Sequence, residues 1–362
     1  MNVVLVFPTT FINDRALGKS IQRSSTRVKS IKFEHNCIVC ESSNVVELAS
    51  ELAKTFGIER VAIAKKVSTN FSDLSDAMVQ FATTIIIPRD SFYVKVIILP
   101  GAKCGYVSRD LEFATAGALS ARLASINAKP ARTEKEATRL LLTVIGEEAA
   151  YVCIQIMTGL GGLIPGSQGS ILGSVHSSLS LLSCLVAAKA GFECPNLVLP
   201  YSDRHELEIN AKFAYIFATQ TGRRKQTILA MPIKLPIKGA NSIVMKERII
   251  SRILMQFSDH RMVFGFTTAV HPIWFIESVI REAFILGKMS HTPLLFLSDE
   301  LGKFAEEAGI ALVDMPVTNA SESTLQSYND TIESEVKLAI QRTKKLELEV
   351  GPNYLHDIID SL

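Results

Sequence analysis

The sequence predicts a multidomain protein with an α+β first part and a second part that is a doubly wound, parallel α/β sheet. Three observations carry this prediction: short strands and helices of mixed order up to residue 158, a glycine-rich linker after them, and alternating strand-like and helix-like runs from residue 170 onward. Mixed order is typical of α+β domains, whereas a βαβα order predicts parallel strands joined by right-handed crossovers.

The first part contains four strand-like runs, three helical runs and one hairpin. The strand-like runs, which are rich in β-branched residues, are "NVVLVF", "HNCIVCESS", "RVAIAKKV" and "SFYVKVIIL". The helical runs, which repeat apolar residues at helical spacing, are "NVVELASELAKTFGI", "FSDLSDAMVQFATTII" and "SRDLEFATAGALSARLASI". Ser72 or Asp73 and Ser108 are candidate caps of the last two helices. "ATRLLLTVIGEEAAYVCIQIMTG" predicts a hairpin with an acidic turn at Glu147 and Glu148.

The second part begins after a linker whose glycines include four in "GLGGLIPG" and then Gly169. Its strand-like runs are "SILGSV", "PNLVLPY", "QTILAMPIK", "MVFGFTT", "TPLLFLS" and "ALVDM". Its helix-like runs are "LLSCLVAAKAGF", "ELEINAKFAYIFATQTG", "SIVMKERIISRILMQF", "WFIESVIREAFILG" and "DELGKFAEEAGI". Ligands of such sheets bind beyond the carboxyl ends of the strands, so the first strand-to-helix turn, His176–Ser180, is a natural site. From Ser334 the sequence predicts a peripheral helix and a loose end.

Composition argues against a membrane protein and against a disulfide scaffold. Of 362 residues, 48% are hydrophobic, yet no apolar run approaches the roughly 20 residues that a membrane span needs. The start "MNVVLVF" lacks a basic leader, so we expect no signal peptide and a cytoplasmic protein with reduced thiols. Cys37 and Cys40 form a CxxC in an extended stretch, where residues three apart face opposite sides, which disfavours a metal or redox pair.

The stretch "AAYVCIQIMTGLGGLIPGSQGSIL", residues 149–172, resembles the junction between two domains of the tRNA 4-thiouridine synthetases, also known as thiamine-biosynthesis sulfurtransferases. In that family an AYVY-like strand ends the RNA-binding THUMP domain, and a GxGGLPVGTQG linker leads into an adenylating domain of the PP-loop ATPase type. The resemblance implies an N-terminal ferredoxin-like domain at 1–57, a THUMP domain at 58–165, a PP-loop-like α/β domain at 166–340 and a tail at 341–362.

The resemblance also implies ATP and magnesium as cofactors, but this chain departs from the family where the chemistry takes place. The family loop SGGxDS corresponds to His176–Leu181, which has neither the glycines nor the aspartate. A lysine is replaced by Glu300, only Gly265 of a GExxGQ segment matches, and the cysteine expected after Pro316 is absent. The residues that we assign to a degenerate nucleotide or phosphate site are Val175, His176, Ser177, Ser178, Ser180, Arg248 and Gly265.

These departures favour a tRNA-binding protein whose adenylation and sulfur transfer are lost. Two alternatives stay open: an active, divergent ATP-dependent tRNA sulfurtransferase, and an anion or nucleotide sensor that uses the amides of the His176–Ser180 turn. A capped, serine-rich helix start without any ligand explains the same turn. A serine hydrolase is disfavoured because the GxSxG pattern is absent.

Clustered basic residues are the candidate RNA contacts, because phosphates attract them collectively. Residues 221–261 hold nine Lys and Arg against two acids. The resemblance implies that the first two domains bind the acceptor end of tRNA. Further candidate partners are a catalytic paralogue, a sulfur-carrier protein and a second copy of the chain. The candidate RNA-binding residues are Lys103, Arg109, Arg122, Lys129, Arg132, Lys135, Arg139, Arg223, Arg224 and Lys225.

Overall fold

A computed structural model describes residues 2–9, 14–223, 225–235, 240–312 and 321–349 of the chain. It divides into two compact units, of which the first ends at Gly161 and the second begins at Gly162. The division therefore falls inside the glycine-rich linker that the sequence predicts. Each unit has its own sheet and hydrophobic core, and each is described by itself.

The described residues of the first unit form one eight-stranded sheet and four α-helices. The helices are α1 (Asp14–Ser24), α2 (Val45–Ala53), α3 (Phe71–Ile85) and α4 (Ser108–Leu123). The strands are β1 (Asn2–Pro8), β2 (Val28–Glu34), β3 (Cys37–Ser42), β4 (Ile58–Val67), β5 (Ser91–Ile98), β6 (Lys129–Pro130), β7 (Arg139–Ile145) and β8 (Ala150–Thr158).

The strand order is β2-β3-β1-β4-β8-β7-β5-β6. Strands β1 to β4, with α1 and α2 between them, follow the βαββαβ pattern of a ferredoxin-like domain. β4 lies beyond the expected boundary at residue 57, so this arrangement extends to Val67. β4 also pairs antiparallel with β8, which joins the following strands to the same sheet. The predicted hairpin is confirmed as β7 and β8.

Helices α3 and α4 pack on the face of the sheet that carries the alternate side chains of β5. Phe92, Val94 and Val96 are buried there in one cluster with Leu111 and Leu119 of α4. β5 pairs with β7 along its length but with β6 only at its first two residues. Beyond Phe92, β5 is therefore an edge strand that runs beside α4.

The described residues of the second unit form six strands and seven α-helices. The strands are β9 (Gly173–Ser174), β10 (Asn196–Tyr201), β11 (Lys225–Pro232), β12 (Arg261–Val263), β13 (Met289–His291) and β14 (Lys344–Glu349). The helices are α5 (Ser178–Lys189), α6 (Arg204–Gln220), α7 (Ala240–Phe257), α8 (Ile273–Ile285), α9 (Asp299–Glu307), α10 (Glu322–Gln326) and α11 (Asn329–Gln341).

The parallel strands follow the doubly wound order β11-β10-β9-β12-β13. The pairs β11-β10-β9 and β12-β13 are regular ladders, and a parallel bridge between Leu172 and Met262 joins the two groups. Chain order reverses between β9 and β12, which is the switch point where ligands of such sheets bind. α7 packs its apolar face in the core beside this point. The predicted fold class is thus confirmed.

Two predicted elements of the second unit differ from the structure. The run "TPLLFLS", expected as a strand, forms turns after β13 rather than a further strand. The expectation of a loose end is wrong for Lys344–Glu349, which pairs antiparallel with β11 as an edge strand. Residues 350–362 lie outside the described part of the chain. No helix in the described ranges has both the length and the hydrophobicity that a membrane span requires.

Candidate functional site

The turn between β9 and α5 uses its own serine hydroxyls to satisfy three of its backbone amides. Ser177 is the N-cap of α5, and its Oγ accepts a hydrogen bond from the Ser180 amide at 3.1 Å. The Oγ of Ser180 accepts from the amides of His176 and Ser177, both at 2.9 Å, and donates to the Ser177 carbonyl. A phosphate-binding turn directs such amides to its ligand. In this turn the Ser180 hydroxyl accepts the hydrogen bonds of these amides instead.

The His176 side chain links this turn to α7. Its ring is 5% exposed, with Nδ1 2.8 Å from Ser174 Oγ and Nε2 2.8 Å from Glu247 Oε1. Because a carboxylate only accepts hydrogen bonds, Nε2 is the donor to Glu247. Burial opposes ionisation of Glu247, but His176, His271 and Lys246 together lower the pKa of its carboxyl to about 2. Glu247 is therefore a buried anion held by its neighbours.

Lys246, next to Glu247 on α7, forms an ion pair with Glu206 near the start of α6. Burial lowers the pKa of Lys246, while the nearby charges of Glu247 and Asp203 oppose that shift. The lysine is only 19% exposed, so its positive charge serves this internal pair. Lys246 therefore does not offer a free positive charge to a nucleotide phosphate.

Gly265, after β12, lies directly against the first turn of α5. A Cβ at this position would be 2.7 Å from the Ser180 amide nitrogen and 2.8 Å from its Cα. Contacts below 3.0 Å with backbone atoms require the backbone to move. The glycine therefore allows two elements of this unit to touch, without any ligand between them.

The remaining predicted site residues lie in three different surroundings. Val175 is fully buried and its amide donates to the Val198 carbonyl at 2.9 Å, as part of the sheet. Ser178 is buried in the first turn of α5. Arg248 faces away from the turn, because its guanidinium pairs with Glu282 on α8 at 2.5 Å. The structure thus brings His176, Ser177 and Ser180 together, but not Arg248.

These contacts do not fit a triphosphate with magnesium at the turn. The amides of His176 and Ser177 are already used, and the carboxylates of Glu247 and Glu206 are held by His176 and Lys246. Glu300, which the resemblance aligns with a lysine of the family, is exposed in the first turn of α9. Within the described ranges, no cluster of three or more His, Cys, Asp or Glu side chains has the arrangement of a metal site.

Most of the predicted RNA-binding residues of the first unit are exposed. Arg139 is exposed as well, but its guanidinium already forms an ion pair with Asp90 at 3.0 Å. In the described part of the chain, the six others form no ion pair and remain available to an anion. They are Lys103, Arg109, Arg122, Lys129, Arg132 and Lys135.

A groove of about 290 Å³ lies beside one of these residues, Arg109, and beside the acidic Glu112, between α4 and the edge of β5. It is lined by Arg109 and Phe113 of α4, by Tyr93 and Val94 of β5, and by Pro130 of β6. Phe113 is 84% exposed, which is unusual for a phenylalanine. Phe113 is not among the RNA-binding residues predicted from the sequence. It stands off the helical spacing of the buried residues of α4, and this pattern is the signal that indicates it.

Two of the predicted RNA-binding residues of the second unit, Arg223 and Lys225, are already paired with acids. Arg223 contacts Glu193 at 3.0 Å, and Lys225 contacts Glu349 of β14 at 2.7 Å. The hydrogen bond that Lys225 donates to Glu349 raises the pKa of Lys225. Arg224 lies outside the described residues. The charge excess of this stretch is thus largely balanced by acids that are distant in sequence.

Two solved structures have folds similar to that of this chain. A 4-thiouridine synthetase crystallised in complex with RNA and bound ATP matches with a TM-score of 0.74 over 96% of this chain and all of that one, at 14% identity. The PH1313 protein of Pyrococcus horikoshii matches with a TM-score of 0.64 over 85% of this chain and all of that one, at 19% identity. No sequence profile of a protein family matches the chain, and no curated protein does. At these identities, the likeness shows that the chain has the multidomain fold of a 4-thiouridine synthetase.

Proposed function

We propose that the protein binds tRNA through the first unit and does not perform adenylation or sulfur transfer. The observation that carries the proposal is the groove beside Phe113, where an exposed aromatic ring and the Arg109 side chain line the same surface. The likeness to a 4-thiouridine synthetase solved with RNA supports the same conclusion. The acceptor end of tRNA is the proposed ligand, because its last nucleotides are single-stranded.

The groove has the chemistry that an unpaired nucleotide requires. A base stacks on an exposed aromatic ring, and Phe113 offers one face of such a platform. Beside it, the edge of β5 is hydrogen-bonded only in part: Ala131 donates to the Phe92 carbonyl at 2.8 Å, and the Val96 amide donates to Glu112 at 2.8 Å. The nearby guanidinium of Arg109 suits a phosphate.

The proposed loss of chemistry rests on the turn at β9. The amides of His176 and Ser177 are used within the turn, and Gly265 closes the space above it. On this proposal any modification of the bound tRNA is carried out by another protein. The candidate partners are then a catalytic paralogue that adenylates the base and a protein that carries the sulfur.

Binding of labelled tRNA to the purified chain, followed by fluorescence anisotropy, tests the first half of the proposal. We expect Phe113→Ala to weaken binding about 5- to 100-fold, as for the loss of one stacked base. Phe296→Ala is the matched control, since Phe296 is 73% exposed on the other unit. Removal of the last four nucleotides of the tRNA should weaken binding similarly. Equal affinity of the wild type, Phe113→Ala and Phe296→Ala, or no binding of structured RNA, contradicts the proposal.

Titration calorimetry with ATP and magnesium tests the second half. We expect no saturable heat at millimolar nucleotide and no thiolated tRNA after incubation with ATP and sulfide. Tight, magnesium-dependent ATP binding would instead favour the active sulfurtransferase. The two halves of the proposal are independent, because the RNA groove belongs to the first unit and the nucleotide turn to the second.

A further inference from the structure

A cleft of about 700 Å³ lies at the amino ends of the parallel strands of the second unit. Its walls come from the segment before β9, the start of β10, the turn between α7 and β12, and the start of β13. The turn His176–Ser180 follows the carboxyl end of β9, so the cleft is on the opposite edge of the sheet. Volumes of about 300–1,000 Å³, with apolar walls and a few polar groups, are typical of small-molecule sites.

One buried polar group of the cleft has no partner. Ser258 lines the cleft and is only 4% exposed, and its Oγ forms no hydrogen bond with any described residue. Nearly all buried polar side chains in native proteins are hydrogen-bonded. The Ser258 hydroxyl therefore indicates a position where a bound molecule supplies the missing hydrogen bond.

Two opposite charges line the cleft next to this hydroxyl. Asp259 is exposed, and its carboxylate forms neither an ion pair nor a hydrogen bond within the described ranges. The Lys288 ammonium donates to the backbone carbonyls of Ser258 and Asp259 and not to that carboxylate. Arg261 donates its Nη1 to the Gln168 carbonyl, which positions the guanidinium. Its other N–H groups have no acceptor among the described residues, so both charges are available to a ligand.

We propose that this cleft binds a free α-amino acid with an apolar side chain. Asp259 accepts hydrogen bonds from the ammonium group, the Ser258 hydroxyl is a further acceptor, and Arg261 donates to the carboxylate. The apolar side chain lies against the wall that includes Phe257. With His260 neutral, the lining carries one negative and one positive charge. A zwitterion pairs with both charges, whereas an ion of either sign leaves one of them unpaired.

Titration calorimetry of the purified full chain with L-leucine and L-phenylalanine tests the proposal, and two analogues test the two charges. N-acetyl-L-leucine lacks the ammonium group, and L-leucinamide lacks the carboxylate. We expect one saturable site per chain for L-leucine, and about 10- to 100-fold weaker binding of each analogue, as for the loss of a hydrogen bond to a charged group. The proposal is overturned if neither amino acid binds saturably at millimolar concentration, or if both analogues bind as tightly as L-leucine.

Substitutions within the cleft test where the amino acid binds. Asp259→Asn should weaken L-leucine binding about 10- to 100-fold and remove its advantage over N-acetyl-L-leucine. Arg261→Gln should do the same for its advantage over L-leucinamide. Asp330→Asn, at an exposed aspartate of α11, is the matched control and should leave every affinity unchanged. If both cleft variants discriminate among the three compounds as the wild type does, the amino acid binds elsewhere and the proposal is wrong.

Ser258→Ala separates a ligand contact from a structural role. We expect weaker L-leucine binding with no decrease in the Tm of the ligand-free protein, because the hydroxyl has no partner to lose in the described structure. Differential scanning calorimetry with and without L-leucine measures both effects. A lower Tm of the ligand-free variant together with unchanged L-leucine affinity would assign the hydroxyl to the fold and contradict its place in the site.

Discussion

At the scale of single residues, Glu247 is the group whose charge the fold stabilises most clearly. Its carboxylate is buried beside the His176 ring and near Lys246, and its pKa is lowered to about 2. The ordinary pKa of a glutamate is about 4.3. Because the pKa of Glu247 is lower in the folded state than in the unfolded chain, the ionised carboxylate stabilises the fold. This stabilisation is complete above about pH 4.3. It is lost as the pH falls from there towards 2.

We therefore expect Glu247→Gln to lower the free energy of unfolding above pH 5, where the native carboxylate is fully charged. The difference between wild type and variant should shrink by roughly 1–2 kcal/mol between pH 5 and pH 3. Urea unfolding at a series of pH values measures this difference. Glu208→Gln, at an exposed pair, is the control, and its effect should stay within about 0.5 kcal/mol at every pH. A constant difference for Glu247→Gln would mean that the carboxylate is not held in this way.

The sequence predicts the turn at Ser177, but it does not predict that Glu247 contacts this turn. Ser177 has the residue type and position of a helix cap, so the turn and the start of α5 could be predicted locally. Glu247 lies about seventy residues further on, and only the packing of α7 against the switch point brings it to His176. Phe113 was missed for another reason: apolar spacing predicts the helix from its buried face, and Phe113 lies on the opposite, exposed face.

At the scale of elements, the local patterns predicted the hairpin and the βα alternation, while pairing between distant segments escaped them. The run "KKLELE" alternates like a strand, yet its many charged residues led to the prediction of a loose end. It becomes β14 because β11 offers a free edge, and charged residues are typical of edge strands. Conversely, the apolar run "TPLLFLS" forms turns rather than a strand. Thus an edge strand depends more on available pairing than on hydrophobicity.

The close approach of the end of β12 to α5 gives a prediction at this scale. Gly265→Ala places a methyl group within 3 Å of the Ser180 backbone, so one of the two elements must shift. We expect the free energy of unfolding, from urea denaturation, to fall by roughly 1–3 kcal/mol. Gly302→Ala in α9 is the matched control: nothing lies within 4 Å of its new methyl group, and alanine is the better helix former. A Gly265→Ala protein as stable as wild type would show that the two elements do not touch.

At the scale of the whole molecule, the distribution of unpaired charge separates the two units more sharply than composition does. The net charge is only +2, and residues 221–261 hold the denser run of basic residues. In the structure, however, Lys225 is paired with Glu349, whereas Lys129 and Arg132 of the first unit are exposed without an ion pair in the described part of the chain. A count along the sequence could not show this, because the neutralising acids come from other elements.

Salt dependence of tRNA affinity tests which charges meet phosphate. Each phosphate contact releases counterions, so the logarithm of the association constant falls with the logarithm of salt concentration in proportion to the number of contacts. We expect Lys129→Gln and Arg132→Gln each to weaken binding and to reduce this slope by about 1. Lys225→Gln should leave both the affinity and the slope unchanged, because its ammonium is already held by Glu349. If Lys225→Gln lowers the slope while the first-unit variants do not, the RNA contacts lie on the second unit and the groove beside Phe113 is not the site.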